Sequence, residues 1–176
     1  ELDVLTRLSD NLLKIARLDN KNLELNKHRI DPIIQEAIDR ILPLAEKKYI
    51  LIDFKSSGKI NALTNSASLS EIIVIILDNA VKYSPEKSTV TIGCNKKDRM
   101  VEIYIQDQGK GINKVDLVHI FERFYQADTS RSTQNRSAGH GLGLSIAKQM
   151  VEKMNGNIKV TSKLGKGSRF AINIPI

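Results

Sequence analysis

Several residue types are scarce in this chain, and each scarcity narrows the classes of protein to which it can belong. The 176 residues include one cysteine, Cys94, so no disulfide can form within the chain, and a reducing compartment is favoured. Cys94 falls in a predicted strand, where we interpret it as a small core residue rather than a nucleophile. Tryptophan is absent and aromatic residues make up 5%, so aliphatic side chains must build the core.

Long hydrophobic runs are also missing. The longest purely apolar run covers residues 72–77, which is far too short to span a bilayer, and no secretory signal is visible. The chain begins at Glu1 rather than methionine, and we therefore expect a segment of a longer protein.

Charge is unbalanced towards the positive sign, with a net charge of +7 and a pI of about 9.5. Such a balance is compatible with a nucleic acid, an acidic partner or a phosphate ligand. The basic residues are spread along the chain, apart from pairs at 47–48 and 96–97, and they do not alternate with aromatic residues. We therefore expect no nucleic-acid binding.

Hydrophobic periodicity predicts both helices and strands. Apolar residues recur at three- and four-residue steps over residues 1–18, which predicts an amphipathic helix that needs a partner. Further helices are predicted over residues 31–48, 65–83, 113–122 and 142–154. Asp31 is the candidate N-cap of the first of these, Asn65, Ser66 or Ser68 that of the second, and Gly156 the left-handed C-cap of the last.

Short alternating segments predict the strands, which cover residues 22–30, 49–54, 60–64, 90–94, 100–106, 157–161 and 168–174. The polar stretch at 125–139 predicts a long loop of functional importance. Because helices and strands alternate irregularly, we predict a mixed sheet covered by helices on one face.

The first polar cluster ends the most apolar helix. Asn79, Lys82 and Tyr83 lie three and four residues apart and share one helical face. An amide oxygen suits Mg²⁺, and a lysine suits phosphate oxygens. Taken alone, the cluster is weak evidence, because polar residues at a helix end are usually just solvated.

The second cluster, DQGKGI at 107–112, follows a predicted strand and precedes a helix. Its glycines permit close backbone approach, and the carboxylate of Asp107 can accept a hydrogen bond from an exocyclic amine such as that of adenine. A glycine-rich turn without a ligand explains this cluster equally well.

Two further clusters are weaker by themselves. GHGLGL at 139–144 opens a helix, where backbone amides attract phosphate, but it lacks the preceding strand of a dinucleotide fold. GKGSRF at 165–170 alone predicts only a hairpin turn.

The order of these clusters resembles the asparagine box, the two glycine boxes and the closing GxG[ST]xF element of the histidine kinase and gyrase-type ATPase superfamily. FERFY at 121–125 resembles the phenylalanine box of sensor histidine kinases, and NLLKIARLD at 11–19 resembles the end of their second dimerisation helix. Five motifs in order make the resemblance specific.

The resemblance implies a role for individual residues. Asn79 would ligate Mg²⁺, Lys82 would contact the phosphates of ATP, and Tyr83 would line the nucleotide. Asp107 would bind the adenine amino group, supported by Ser168 through a hydroxyl or a water.

Other residues would shape the same site. Gly109 and Gly111 would let the backbone approach the base. Ile112 and Leu144 would wall the adenine pocket, with plain core residues as the alternative interpretation. Residues 125–138 would form the ATP lid, from which Arg131 would reach phosphate, although a solvated loop arginine is an equal alternative. The remaining implied nucleotide-binding residues are Gly139, His140, Gly141, Leu142 and Gly143, with the backbone rather than the ring of His140 in contact.

One position departs from the family pattern. Ile75 occupies the place, four residues before Asn79, where the family carries Asn or Glu. Water or a serine hydroxyl needs a general base to attack phosphorus, whereas a neutral imidazole carries a free lone pair. Ile75 therefore favours transfer to histidine over hydrolysis, and it also favours an alternative, a nucleotide-binding module with weak or no kinase activity.

The resemblance finally implies an organisation and its partners. We expect an α/β two-layer sandwich with a mixed, mostly antiparallel sheet of about five strands and three helices on one face. Residues 1–18 would end the second dimerisation helix, 19–30 would form a linker and first strand, and 31–176 the catalytic ATP-binding domain. None of His28, His119 and His140 resembles the phosphate acceptor, which would lie upstream of Glu1.

The implied partners are the chain's own dimerisation and acceptor domain and the receiver domain of a response regulator. The parent protein would be a membrane-associated homodimer whose cytoplasmic part includes this chain. The chain alone would be a monomer, or a weak dimer through residues 1–18.

Overall fold

The computed structural model describes residues 23–56, 58–127 and 141–176. Its helices are α1 (Ile30–Lys47), α2 (Ser66–Tyr83), α3 (Lys114–Leu117) and α4 (Gly143–Lys153). Its strands are β1 (Asn26–Arg29), β2 (Leu51–Lys55), β3 (Asn61–Thr64), β4 (Thr89–Lys97), β5 (Met100–Gln106), β6 (Asn157–Lys163) and β7 (Gly167–Pro175). The helix predicted over residues 1–18 and most of the predicted lid lie outside the described residues.

Five strands form one mixed sheet in the order β2-β4-β5-β7-β6. The pair β2–β4 is parallel, and the other three pairs are antiparallel. Strands β1 and β3 pair separately as an antiparallel ribbon. The prediction of a mixed, mostly antiparallel sheet of five strands is confirmed.

One face of this sheet is apolar and covered by helices. Along β5, Val101, Ile103 and Ile105 are at most 1% exposed, whereas Tyr104 alternates with them on the other face. Helix α2 packs between α1 and α4, and six of its apolar side chains are fully buried: Leu69, Ile72, Ile73, Ile76, Leu77 and Val81. The core is aliphatic as predicted, and it holds α2 rigidly beneath the sheet.

Two of the predicted helix caps differ from the structure. Asn65 does cap α2, since its side chain accepts a hydrogen bond from the Ser68 amide at 3.0 Å. Asp31 is not the N-cap of α1, because β1 runs directly into the helix at Ile30, and its carboxylate instead accepts a hydrogen bond from the Ser56 hydroxyl at 2.7 Å. At the end of α4 the left-handed residue is Asn155, with φ 56°, rather than Gly156.

The helix predicted over residues 113–122 is shorter than expected. Helix α3 ends at Leu117, and the chain continues in turns. The amide of His119 donates to Asp116 O, and that of Glu122 donates to His119 O, so both bonds span only three residues. Among the described residues, no helix combines the length and apolar content that crossing a bilayer requires.

Candidate functional site

A cavity of about 550 Å³ lies between the C-terminal half of α2, the loop after β5 and the start of α4. Eleven of the residues predicted for the site line it: Asn79, Lys82, Tyr83, Asp107, Gly111, Ile112, Gly141, Leu142, Gly143, Leu144 and Ser168. Gly109 lies next to the cavity without lining it. Arg131, Gly139 and His140 lie outside the described residues. The folded chain thus brings together clusters that are up to 89 residues apart in sequence, from Asn79 to Ser168.

Asp107 stands at the end of β5 and is 7% exposed. Its Oδ1 accepts hydrogen bonds from the backbone amides of Gly109, at 2.8 Å, and Ser168, at 3.1 Å. Burial raises the pKa of this carboxyl above its ordinary value, against the lowering effect of the two amide bonds. Both amide bonds use Oδ1, so they fix the orientation of the carboxylate and do not occupy Oδ2.

Ser168 contacts Asp107 through its backbone amide, while its hydroxyl pairs with another serine. The hydroxyl lies 3.0 Å from Ser162 Oγ, which also accepts from the Ile112 amide at 2.8 Å and donates to Gly167 O at 2.9 Å. Ser162 therefore fastens the loop after β5 to the β6–β7 turn. No motif contains Ser162, and sequence reasoning missed it.

The glycines of the loop after β5 allow close approach between segments of the protein itself. A Cβ on Gly109 would lie 2.7 Å from Tyr83 O. Gly111 has φ +71°, and a Cβ there would overlap the carbonyl of Lys163. The two glycines let this loop pack against both the end of α2 and the β6–β7 turn, and so place Asp107 at the cavity wall.

Two lysines also line the cavity. The ammonium groups of Lys82 and Lys110 lie 5.3 Å and 5.1 Å from the centroid of the Tyr83 ring. Burial lowers the pKa of Lys82, Asp78 acts against this, and Lys110 adds to it. Burial also raises the pKa of Tyr83, with a smaller contribution from Asp78. This wall attracts anions such as phosphate, and Lys110 is a lining residue to which sequence reasoning assigned no role.

Ile75 lies one helical turn before Asn79, and both residues line the cavity. A Cβ on Gly143 would come within 3.2 Å of Ile75 Cγ2, so the isoleucine packs at the start of α4. One turn earlier, Glu71 also lines the cavity and forms an ion pair with Arg40 at 3.0 Å. Its four-residue spacing from Ile75 could have revealed Glu71 in the sequence. At the position of Ile75 itself, the wall offers hydrocarbon and no proton acceptor.

The glycine segment at the start of α4 is joined to the FERFY motif. Gly141 has φ +70°, and a Cβ there would lie 2.6 Å from Tyr125 O. The Phe124 amide donates to Gly141 O at 3.0 Å. Leu142 is 1% exposed and anchors the segment in the core. Gly141 and Gly143 are thereby held at the cavity wall, where α4 begins.

The residues present fit a magnesium ion that is bound jointly with phosphates. The side chain of Asn79 lines the cavity one turn from Lys82. Among the described residues no cluster of three or more His, Cys, Asp or Glu side chains forms a metal cage. Mg²⁺ typically takes one or two protein ligands and completes its shell with phosphate oxygens and waters, so a single amide ligand suits it.

The chain matches the family described as histidine kinase-, DNA gyrase B-, and HSP90-like ATPase over residues 64–176. It is 33% identical over 178 residues to the signal transduction histidine-protein kinase ArlS of Staphylococcus epidermidis, covering 100% of this chain and 38% of ArlS. It is 31% identical over 179 residues to the sensor histidine kinase WalK of Bacillus subtilis, covering 99% of this chain and 29% of WalK. The chain thus spans less than half the length of these curated relatives.

Solved structures show the same fold. ShkA in complex with AMPPNP superposes with a TM-score of 0.82 at 27% identity, covering 97% of this chain and 35% of ShkA. The catalytic domain of the histidine kinase ThkA superposes with a TM-score of 0.74 at 19% identity, covering 87% of this chain and 96% of that domain.

Proposed function

Because the chain belongs to the histidine kinase-, DNA gyrase B- and HSP90-like ATPase family, we propose that it is the ATP-binding catalytic part of a two-component sensor histidine kinase. It transfers the γ-phosphoryl group of ATP to a histidine on a helical segment that this sequence does not contain. One observation carries the proposal: a single cavity is lined both by an oriented buried carboxylate, that of Asp107, and by Lys82, whose side chain carries an ammonium group. Relatives named as histidine kinases along the whole chain support the kinase branch of the family.

Asp107 selects the base. Its oriented carboxylate accepts a hydrogen bond from the exocyclic amino group of adenine, which guanine lacks at that position. Ser168 supports it through the amide bond at 3.1 Å, Ile112 and Leu144 provide apolar walls, and Tyr83 lines the base or ribose. Gly109 and Gly111 contribute by placing the loop that carries Asp107.

Positive groups and amides hold the phosphates. Lys82 approaches them from α2, the backbone of residues 139–143 provides N–H donors, and Arg131 reaches them from the lid at residues 125–138. Asn79 provides the protein ligand for Mg²⁺, which neutralises phosphate charge when it is bound. The chain's own contribution is to position the γ-phosphorus for in-line attack.

Histidine fits as the acceptor. A neutral imidazole nitrogen forms the new N–P bond with its own lone pair, the bond from phosphorus to the β–γ bridging oxygen breaks, and ADP leaves. No base has to remove a proton before this attack. The hydrocarbon of Ile75, at the cavity position where a proton acceptor would serve hydrolysis, supports this acceptor over water.

The hydrocarbon side chain of Ile75 at this position also favours a second candidate, a nucleotide-binding module that transfers phosphate weakly or not at all. In both cases the proposed partners are the dimerisation and acceptor domain and a response regulator, which takes the phosphate on aspartate. We place the chain in the cytoplasm, as a monomer when isolated, with a parent that is a membrane-associated homodimer. Cys94 is buried and is not part of a disulfide, which is compatible with a reducing compartment.

Two measurements test the proposal. Calorimetric titration with ADP and Mg²⁺ should give one-to-one binding that Asn79→Ala and Asp107→Ala both weaken, and absence of binding by the unaltered chain would refute the nucleotide site. Incubation of the full-length gene product with labelled ATP should yield acid-labile, base-stable phosphate that Asn79→Ala abolishes. Binding without any phosphohistidine would instead establish the second candidate.

A further inference from the structure

The side chain of Lys48 donates three hydrogen bonds to the end of another helix. Lys48 follows the last residue of α1. Its ammonium lies 2.8 Å from Val81 O, 3.1 Å from Lys82 O and 2.6 Å from Ser84 O. All three acceptors belong to the last turn of α2 and the residue that follows it. An ammonium has three protons, and here each has a carbonyl partner.

This arrangement supplies hydrogen-bond donors to the C-terminal end of α2. The last carbonyls of an α-helix have no partner within the helix, and they carry the negative end of its dipole. The Ser84 amide, which follows the last residue of α2, donates to Ala80 O at 3.1 Å. The cation of Lys48 therefore satisfies carbonyls and complements the dipole at the same place.

Further contacts connect this turn to the loop that carries Asp107. Tyr83 ends α2, and its carbonyl packs so closely on Gly109 that a Cβ there would lie 2.7 Å away. The Gly109 amide in turn donates to Asp107 Oδ1 at 2.8 Å. The backbone of Lys48 is also bonded to the segment that follows α2, since the Lys87 amide donates to Lys48 O at 3.1 Å.

We propose that Lys48 is a positioning residue for the nucleotide site, which it does not itself line. It holds the last turn of α2 so that Lys82 and Tyr83 face the cavity, and through Gly109 it also sets the loop that carries Asp107. The inference rests on the proposed nucleotide-binding function and extends it to a residue outside every motif. A displaced turn lowers the fraction of molecules competent to bind, and the apparent affinity falls by that fraction.

Lys48→Met tests this proposal, because it keeps most of the aliphatic stem and removes all three hydrogen bonds. Lys47→Met is the matched control: it makes the same chemical change one residue earlier, on an exposed side chain. We expect Lys48→Met to speed hydrogen exchange at the amides of Ser84 and Gly109 about tenfold and to weaken Mg·ADP binding about tenfold. Lys47→Met should leave both within twofold of the unaltered chain.

If the Lys48→Met variant does not fold, Lys48→Gln is used to test the positioning role instead. Its shorter amide side chain carries no positive charge, and we expect at least a threefold weakening of Mg·ADP binding. A lower melting temperature with unchanged exchange at Gly109 and unchanged affinity would overturn the inference, because Lys48 would then contribute only to stability. If the unaltered chain binds no nucleotide, the proposed function fails, whereas unchanged binding by both Lys48 variants refutes the positioning role alone.

Discussion

Replacement of Asp107 by asparagine separates base recognition from folding. Oδ1 of Asp107 accepts the amides of Gly109 and Ser168, and the amide oxygen of asparagine can accept the same two bonds. The Nδ2 group then takes the place of Oδ2 and presents a donor to the cavity. Adenine also presents a donor, its amino group. The two donors repel each other, whereas Oδ2 of the aspartate would accept a hydrogen bond from that amino group.

The expected loss in ADP affinity is large. A hydrogen bond to a charged acceptor contributes about 1.5–3 kcal/mol, and a buried donor left without a partner costs about 1–3 kcal/mol. Allowing for partial relaxation, we expect a loss of about 2–4 kcal/mol, or roughly 30- to 700-fold in Kd. Affinity for GDP should rise relative to ADP, because guanine presents the O6 acceptor at the corresponding position.

The same substitution should not destabilise the empty protein. Burial raises the folded-state pKa of Asp107 above the unfolded value of about 3.8, so the ionised carboxylate subtracts from stability at neutral pH. This loss in the free energy of unfolding disappears as the pH falls through the folded-state pKa, because the carboxyl is then protonated. In the asparagine variant the loss is absent at every pH. ADP affinity of the unaltered chain should decline on acidification, starting above the pH at which an ordinary aspartate titrates.

Calorimetric titration with ADP and GDP, beside urea unfolding, measures these effects. Asp98→Asn is the matched control, since Asp98 lies in the β4–β5 turn with φ 53°, a conformation that asparagine accepts well. A folded Asp107→Asn variant that binds ADP within threefold of the unaltered chain, with no gain in relative GDP affinity, would refute the assignment of Asp107 to adenine.

Three further substitutions test other parts of the site. Lys82→Met should weaken ADP binding about 10- to 100-fold but change adenosine affinity less than about threefold, because we propose that the lysine binds the phosphates and not the base; equal losses for both ligands in calorimetry would contradict this. Asn79→Ala should remove the dependence of ADP affinity on Mg²⁺, so that titrations with and without EDTA coincide; a retained EDTA effect would place the metal ligand elsewhere. Gly111→Ala should lower the free energy of unfolding in urea by more than about 3 kcal/mol, since φ is +71° and the new Cβ overlaps Lys163 O. Gly165→Ala, with φ +75° and open space around the Cβ, should cost only about 1 kcal/mol, and similar losses at both glycines would count against the close packing of the loop.

Local features were predictable from the sequence because they depend on residues that are near each other along the chain. The period of the apolar residues located α2 and the strands of the sheet to within a few residues, and β5 was predicted with its observed bounds. Asn65 was named among the candidate caps of α2 for its side chain, and it is the cap observed. The order of the polar clusters, rather than any single cluster, indicated the family.

Tertiary packing decided which distant groups meet. The helix caps expected at Asp31 and Gly156 failed because β1 feeds straight into α1, and because Asn155 takes the left-handed conformation at the end of α4. Ser162 is joined to Ile112, fifty residues away, and Lys48 to Val81, thirty-three residues away. Such contacts leave no periodic signal, since they arise only when separate elements are packed against each other. The fold class, the family and the candidate binding groups could therefore be predicted from the residues alone. Their relative placement, and the residues that hold them in place, were decided by how the helices pack on the sheet, because only packing fixes distances between segments far apart in the chain.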